Sequence, residues 1–106
     1  VTLEILYNGE VVAELERANG KFVFGYCEKF KTLGLSPLPG LPFAGAVVSP
    51  ELPAFFRERI PDSRRPEIRQ HIRVNNIDEK DDMEMLAQFS KKSITDSYEL
   101  RVKGPL

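Results

Sequence analysis

Two Asn-Gly pairs, Asn8-Gly9 and Asn19-Gly20, punctuate the first twenty residues, and they constrain the fold more than any other feature. Asn-Gly is the preferred pair of a two-residue hairpin turn. Both central residues there need positive φ, which asparagine tolerates and glycine adopts freely. Strand-like runs flank each pair. Residues 3 to 7 (Leu-Glu-Ile-Leu-Tyr) partly alternate, and Val11 to Leu15 resumes the apolar pattern. In Lys21 to Tyr26 a period of two puts Phe22, Phe24 and Tyr26 on one face. The spacing predicts a three-stranded antiparallel meander.

Beyond it, Ser36-Pro37-Leu38-Pro39-Gly40-Leu41-Pro42 loses backbone donors to its prolines, which also bias the residues before them to extended backbone. It should cross the domain as an irregular segment, with Leu38, Leu41 and Phe43 available for burial. Ser49-Pro50-Glu51 reads as a helix start, since serine can cap and proline fits the first turn. That helix carries Leu52, Phe55, Phe56 and Ile60 before Pro61 stops it. A second helix is predicted from Pro66 to about Val74, with Ile68 and Ile72 on one side and Asn75-Asn76 ending it. A third runs from about Asp81 to Lys91, with acids in its first turn and Lys91-Lys92 in its last, matching the helix dipole. Met85, Leu86 and Phe89 are its apolar stripe. Ile94 to Val102 has Tyr98, Leu100 and Val102 at a period of two and should rejoin the first sheet. The chain of 106 residues is therefore expected to be one α+β domain, residues 1–106: a small antiparallel sheet with about three short helices.

Charge is balanced as a whole and uneven along the chain. Fifteen Lys and Arg against sixteen Asp and Glu leave a net charge of -1, which argues against nucleic-acid binding by bulk charge. From Arg57 to Arg73 there are six arginines, no lysine and three acids; from Asp78 to Glu84 there are five acids and Lys80. The two stretches either offset each other in space or form docking surfaces. Arginine without lysine favours planar, bidentate recognition of an acidic partner or a phosphate.

The inventory for catalysis is thin. His71 is the only histidine and Cys27 the only cysteine, so no disulfide and no histidine-rich or thiolate metal site can be assembled within one chain. His71 follows Glu67 by four residues, the spacing for a carboxylate-oriented base. On a short arginine-flanked helix it is more simply a surface or interface side chain. The glycines at 34, 40 and 45 are separated by prolines and lack the lysine or helix start of a phosphate loop. Asp78 to Glu84 lacks the central glycine and distal glutamate of a calcium loop. No cofactor is expected. The aromatic side chains, at strand and helix periods, are expected in the core. No run approaches the roughly 20 apolar residues of a membrane span, no signal peptide is visible, and a single thiol fits a reducing, cytoplasmic setting.

Several strings in order resemble a known family. Val12-Ala13-Glu14-Leu15, Ala18-Asn19-Gly20, Phe22 to Tyr26, Pro37-Leu38-Pro39, Leu52-Pro53-Ala54-Phe55-Phe56 and Ile60-Pro61-Asp62-Ser63 are similar to the N-terminal subdomain of HipA-type serine/threonine kinase toxins. So are Asp82 to Ala87 and Asp96 to Leu100. The resemblance implies a non-catalytic module, either a stand-alone antitoxin of the HipS type from three-gene HipBST systems or the excised first part of a longer kinase. In the first case its partners would be a HipT-like kinase toxin, which it holds inactive, and a HipB-like DNA-binding repressor. Neither direct nucleic-acid binding nor a membrane is expected, although the Arg57–Arg73 stretch keeps nucleic acid as a distant alternative. The loop Pro61-Asp62-Ser63-Arg64-Arg65-Pro66 is pinned by prolines at both ends, and with Arg57 and Arg69 it is the expected kinase contact. Its carboxylate, hydroxyl and guanidinium groups suit a cleft that handles phosphates and metal ions. The chain has no tryptophan, so inhibition through an inserted indole is not available to it.

Overall fold

The computed structural model describes residues 2–42, 45–89 and 97–103. Both Asn-Gly pairs form the turns expected of them. Asn8 and Gly9 sit at φ 50 and 82, Asn19 and Gly20 at φ 53 and 75. They join β1 (Thr2–Tyr7), β2 (Glu10–Ala18) and β3 (Lys21–Tyr26) into an antiparallel meander. To this are added β4 (Val47–Ser49) beside β3 and β5 (Tyr98–Val102) beside β1, giving a five-stranded antiparallel sheet in the order β4-β3-β2-β1-β5. Strand β5 returns to β1 with Leu100 opposite Ile5, so the predicted closing strand is present. Ile94, at its expected start, lies outside the described residues, as do Phe43, Lys91 and Lys92.

The meander has one irregularity, in the pairing of β1 with β2. Ile5 pairs with Ala13 and Leu6 with Val11, so Val12 is the extra residue of a bulge. On the other side of β2, one residue past the Ala13–Tyr26 pair, the Val12 carbonyl accepts the Cys27 N–H at 2.8 Å. Cys27 is the N-cap of α1 (Glu28–Thr32), a helix that the residue pattern does not announce. Its one buried side chain, Phe30, packs on Tyr26 with ring centroids 4.3 Å apart.

The next helix is shorter than its prolines suggested. Ser49 ends β4 opposite Phe22 and is not a helix cap; its hydroxyl accepts the Glu51 N–H at 3.2 Å and closes a local turn. Helix α2 spans only Ala54–Arg57, with Pro53 before it. Pro50 and Pro53 hold the residues before them extended, so Val47–Ser49 becomes a strand and the helix starts after the second proline. Leu52 and Phe56 are buried all the same. Helix α3 (Pro66–Val74) has the predicted bounds. Asn75 caps it, Asn76 takes φ 53, and Ile77 N–H returns to Ile72 C=O at 3.0 Å, a left-handed closure with an apolar contact behind it. Helix α4 (Asp82–Phe89) starts where Asp81 Oδ1 accepts the N–H of Met83 and Glu84.

Two apolar clusters result. The main one joins Leu3, Ile5, Leu15, Phe22 and Phe24 of the sheet with Phe30, Phe56, Met83 and Leu86 of the helices and Leu38 and Leu41 of the crossing segment. The smaller one joins Ile72, Ile77 and Met85, with Ile60, Ile68 and Phe89 against it. Helix α4 is thus apolar on two sides, Met83 and Leu86 toward the sheet, Met85 and Phe89 toward α3. The aromatic side chains among the described residues are core or core-edge groups, as expected.

Candidate functional site

The segment between α2 and α3 starts from local chemistry. Pro61 follows the turn after α2, and Pro66 occupies the first turn of α3, preceded by Arg65 in extended backbone at φ -65 and ψ 135. Between the prolines the chain folds on Asp62. Its Oδ1 accepts the Arg64 N–H at 2.9 Å, and its carboxylate accepts Arg64 Nε at 3.1 Å and Nη2 at 3.0 Å. The Arg65 N–H closes the turn on the Asp62 carbonyl at 3.2 Å. The loop is therefore a small closed ring and not an open strap.

Charge follows the same geometry. The Arg64 side chain, aided by its own N–H, holds the Asp62 carboxyl down at about 2, and Asp62 in turn raises Arg64. The Arg64 side chain is 89% exposed, so the pair is displayed to solvent. Arg65 pairs with Glu67 at 2.6 Å. The Glu67 carboxyl is lowered, chiefly by its own backbone N–H at the start of α3, with Arg65 adding to it.

The arginine stretch and the acidic stretch meet at one point. Arg69 Nη1 donates to Glu79 Oε2 at 2.7 Å, which lowers the Glu79 carboxyl, with a smaller contribution from Ser63 beside it. Glu79 thereby links α3, the loop and the run that leads into α4. Two other acids serve local turns: Asp78 accepts the Lys80 N–H at 3.0 Å, and Asp81 caps α4. Arg59 donates Nη2 to the Tyr98 carbonyl at 2.9 Å and lies over the Phe55 ring, joining the α2 turn to β5. Among the described residues, the side chains of Arg57 at the end of α2 and Arg73 on α3 have no ion-pair or hydrogen-bond partner. Of the expected contact residues, Pro61, Asp62, Ser63, Arg64 and Arg65 lie together in the ring, Arg69 is tied to it through Glu79, and Arg57 stands apart at the helix end. Glu79 was not singled out by sequence. The only sign of it is the reversal at Asn75-Asn76, which brings residues on either side together.

His71 is exposed on α3 and meets Phe89 edge-on at 4.9 Å between centroids, so it is a partner of an apolar ring. Among the described residues no three histidine, cysteine, aspartate or glutamate side chains are grouped to hold a metal ion, and no helix is long and apolar enough to cross a membrane.

A five-stranded sheet with helices on one face and a preordered polar turn at their junction defines a small α+β module that displays its charges on fixed backbone. The family model of the HipA N-terminal domain matches residues 3–94, and the chain belongs to that family. The matched stretch ends before β5. A search of curated proteins returned no match.

Proposed function

We propose that this domain binds a HipA- or HipT-like serine/threonine kinase toxin and holds it inactive, as the antitoxin of a complex that also contains a HipB-like DNA-binding repressor. The observation that carries the reading is the family match over residues 3–94, in a chain whose polar display is built for contact. The module itself is non-catalytic. The 61–66 turn is already closed by Asp62, so docking it costs little further ordering. A guanidinium has five N–H donors; Asp62 takes Arg64 Nε and one Nη2 hydrogen, and the remaining three face a partner. They suit a phosphate or catalytic carboxylate in a kinase cleft, with Arg65 and Arg69 adjacent.

The same match also supports a second reading, in which the domain is the non-catalytic N-terminal part of a longer HipA-like kinase and the turn faces the kinase core within one chain. Nucleic-acid binding by the Arg57–Arg73 stretch is less favoured, because the chain's net charge of -1 gives it no bulk attraction for a polyanion.

The test is co-expression with the cognate kinase. The R64A/R65A double variant is expected to keep its fold, bind the kinase about tenfold or more weakly, and fail to rescue growth, given the cost of losing charge-assisted contacts. Unchanged binding and rescue would remove the loop from the interface. Affinity for nucleic acid that falls steeply with salt and needs no protein partner would replace the reading altogether.

A further inference from the structure

The sheet has a second face. The register puts Thr2, Glu16, Val23 and Val48 in one row across it and Arg101, Glu4, Glu14 and Gly25 in the next. None of these is buried, and the core side chains Phe30, Phe56, Met83 and Leu86 lie on the opposite side. A depression of about 270 Å³ opens here, lined by Thr2, Glu14, Glu16, Val23, Gly25 and Cys27 among others.

Gly25 forms its floor and is out of place in its own fold. A glycine inside a strand weakens it, and its usual reasons are a bulge, a bend or the close approach of another molecule. Gly25 pairs in regular register with Glu14, its φ is outside the left-handed region, and a Cβ there would meet nothing within 4 Å. Neither backbone strain nor internal packing calls for glycine. Close approach from outside remains.

The chemistry of the rim selects the visitor. Glu4 and Glu14 stand opposite each other and are countered from the edge by Arg101 at 2.8 Å and Lys103 at 3.2 Å. Among the described residues, Glu16 has only the Thr2 hydroxyl at 3.4 Å and no cation. Burial and the Glu14 and Glu4 charges push the Cys27 thiol up, as a negative environment should. The depression is smaller than the roughly 300–1,000 Å³ of small-molecule pockets and fits one long side chain. Val23 and the 58%-exposed Val48 offer an apolar shoulder for its stem.

We propose that this face is a second docking surface, on which an extended segment of a partner protein lays a lysine or arginine side chain over Gly25 against Glu16. It lies across the sheet from the 61–66 turn and does not depend on the kinase reading. A domain with both surfaces can bridge two proteins, one on its helical side and one on its open sheet.

The probe is a pentapeptide of alternating valine and lysine, titrated into the ¹⁵N-labelled chain of 106 residues, with a valine–glutamate pentapeptide as control. Saturable amide shifts are expected at Thr2, Glu14, Glu16, Val23 and Gly25 for the lysine peptide alone. They should weaken about tenfold or more in Gly25→Val, which fills the depression from an unobstructed Cβ, and in Glu16→Lys, an exposed change that keeps the measurement meaningful if the first variant folds poorly. No saturable shifts at these residues, or equal shifts in both variants, would overturn the proposal. So would concentration-dependent shifts at the same residues without peptide, which would assign the face to a second copy of the chain. Loss of this binding with intact toxin neutralisation, or the reverse, separates its failure from that of the kinase reading.

Discussion

The hydroxyl of Tyr26 accepts the Leu38 N–H at 2.9 Å and donates to the Leu41 carbonyl. One side chain at the end of β3 thereby satisfies two backbone groups of the proline-rich segment that crosses the sheet. Leu38 and Leu41 are buried by the same arrangement, so the segment has an apolar reason to lie down and a polar anchor that fixes where.

Tyr26→Phe removes that anchor and keeps the ring. Leaving the Leu38 N–H without its partner is expected to cost about 1–3 kcal/mol. Chemical denaturation measures the loss, and hydrogen exchange at Leu38 and Leu41 should accelerate more than exchange in β1 or β2.

The two apolar clusters predict two kinds of damage. Phe56 is fully buried between Phe24 and Phe55, and Phe56→Ala is expected to cost about 3–5 kcal/mol, a large share of the roughly 5–15 kcal/mol that holds a small domain together. Ile72→Ala empties the smaller cluster between α3 and α4. It should speed exchange in α3 while the amides of the meander remain protected. Equal loss of protection in both regions would show that the clusters unfold as one.

The Asp62–Arg64 ring gives the loop a pH dependence. The Asp62 carboxyl sits at about 2 in the folded chain, below the ordinary value near 3.9. A depressed carboxyl stabilises the folded turn above the ordinary value, and that contribution fades as pH falls from there through about 2. Carboxyl ¹³C titration should therefore show a midpoint near 2 for Asp62 in the parent and a return toward the ordinary range in Arg64→Ala. An unmoved midpoint in that variant would assign the shift to another group.

Cys27 should be a sluggish nucleophile. Burial first, then the charges of Glu14 and Glu4, raise its thiol above the ordinary range, so the thiolate fraction at neutral pH is small. Alkylation by iodoacetamide at pH 8 is expected to run slower than for a free cysteine and to quicken in Glu14→Gln. A rate equal to that of the free amino acid would contradict the placement of the thiol against this face.

Helix α3 was legible to the residue because its signals are local: proline at the first turn, isoleucines four apart, and asparagines at the end. Strand β4 and helix α1 were not. Val47–Ser49 takes its conformation from pairing with Phe22, Val23 and Phe24, and the start of α1 is held by the Val12 carbonyl where β3 leaves β2, both partners distant in sequence. The 61–66 loop was visible as a polar, proline-bounded segment. That Asp62 would close on Arg64 and not leave both arginines open follows from a turn geometry that spacing does not specify.

By itself the sequence determined the meander, the closing strand and the apolar face of each longer helix. Positive-φ turns, period-two alternation and helical spacing act over a few residues and are written in the residues themselves. Only the tertiary structure decided how the charges are used. The balanced total hides a pairing of Arg69 with Glu79 across a chain reversal, a ring at Asp62 and an open sheet face floored by Gly25. Long-range electrostatic and steric relations depend on which side chains packing brings within a few ångströms, and packing is a property of the whole fold.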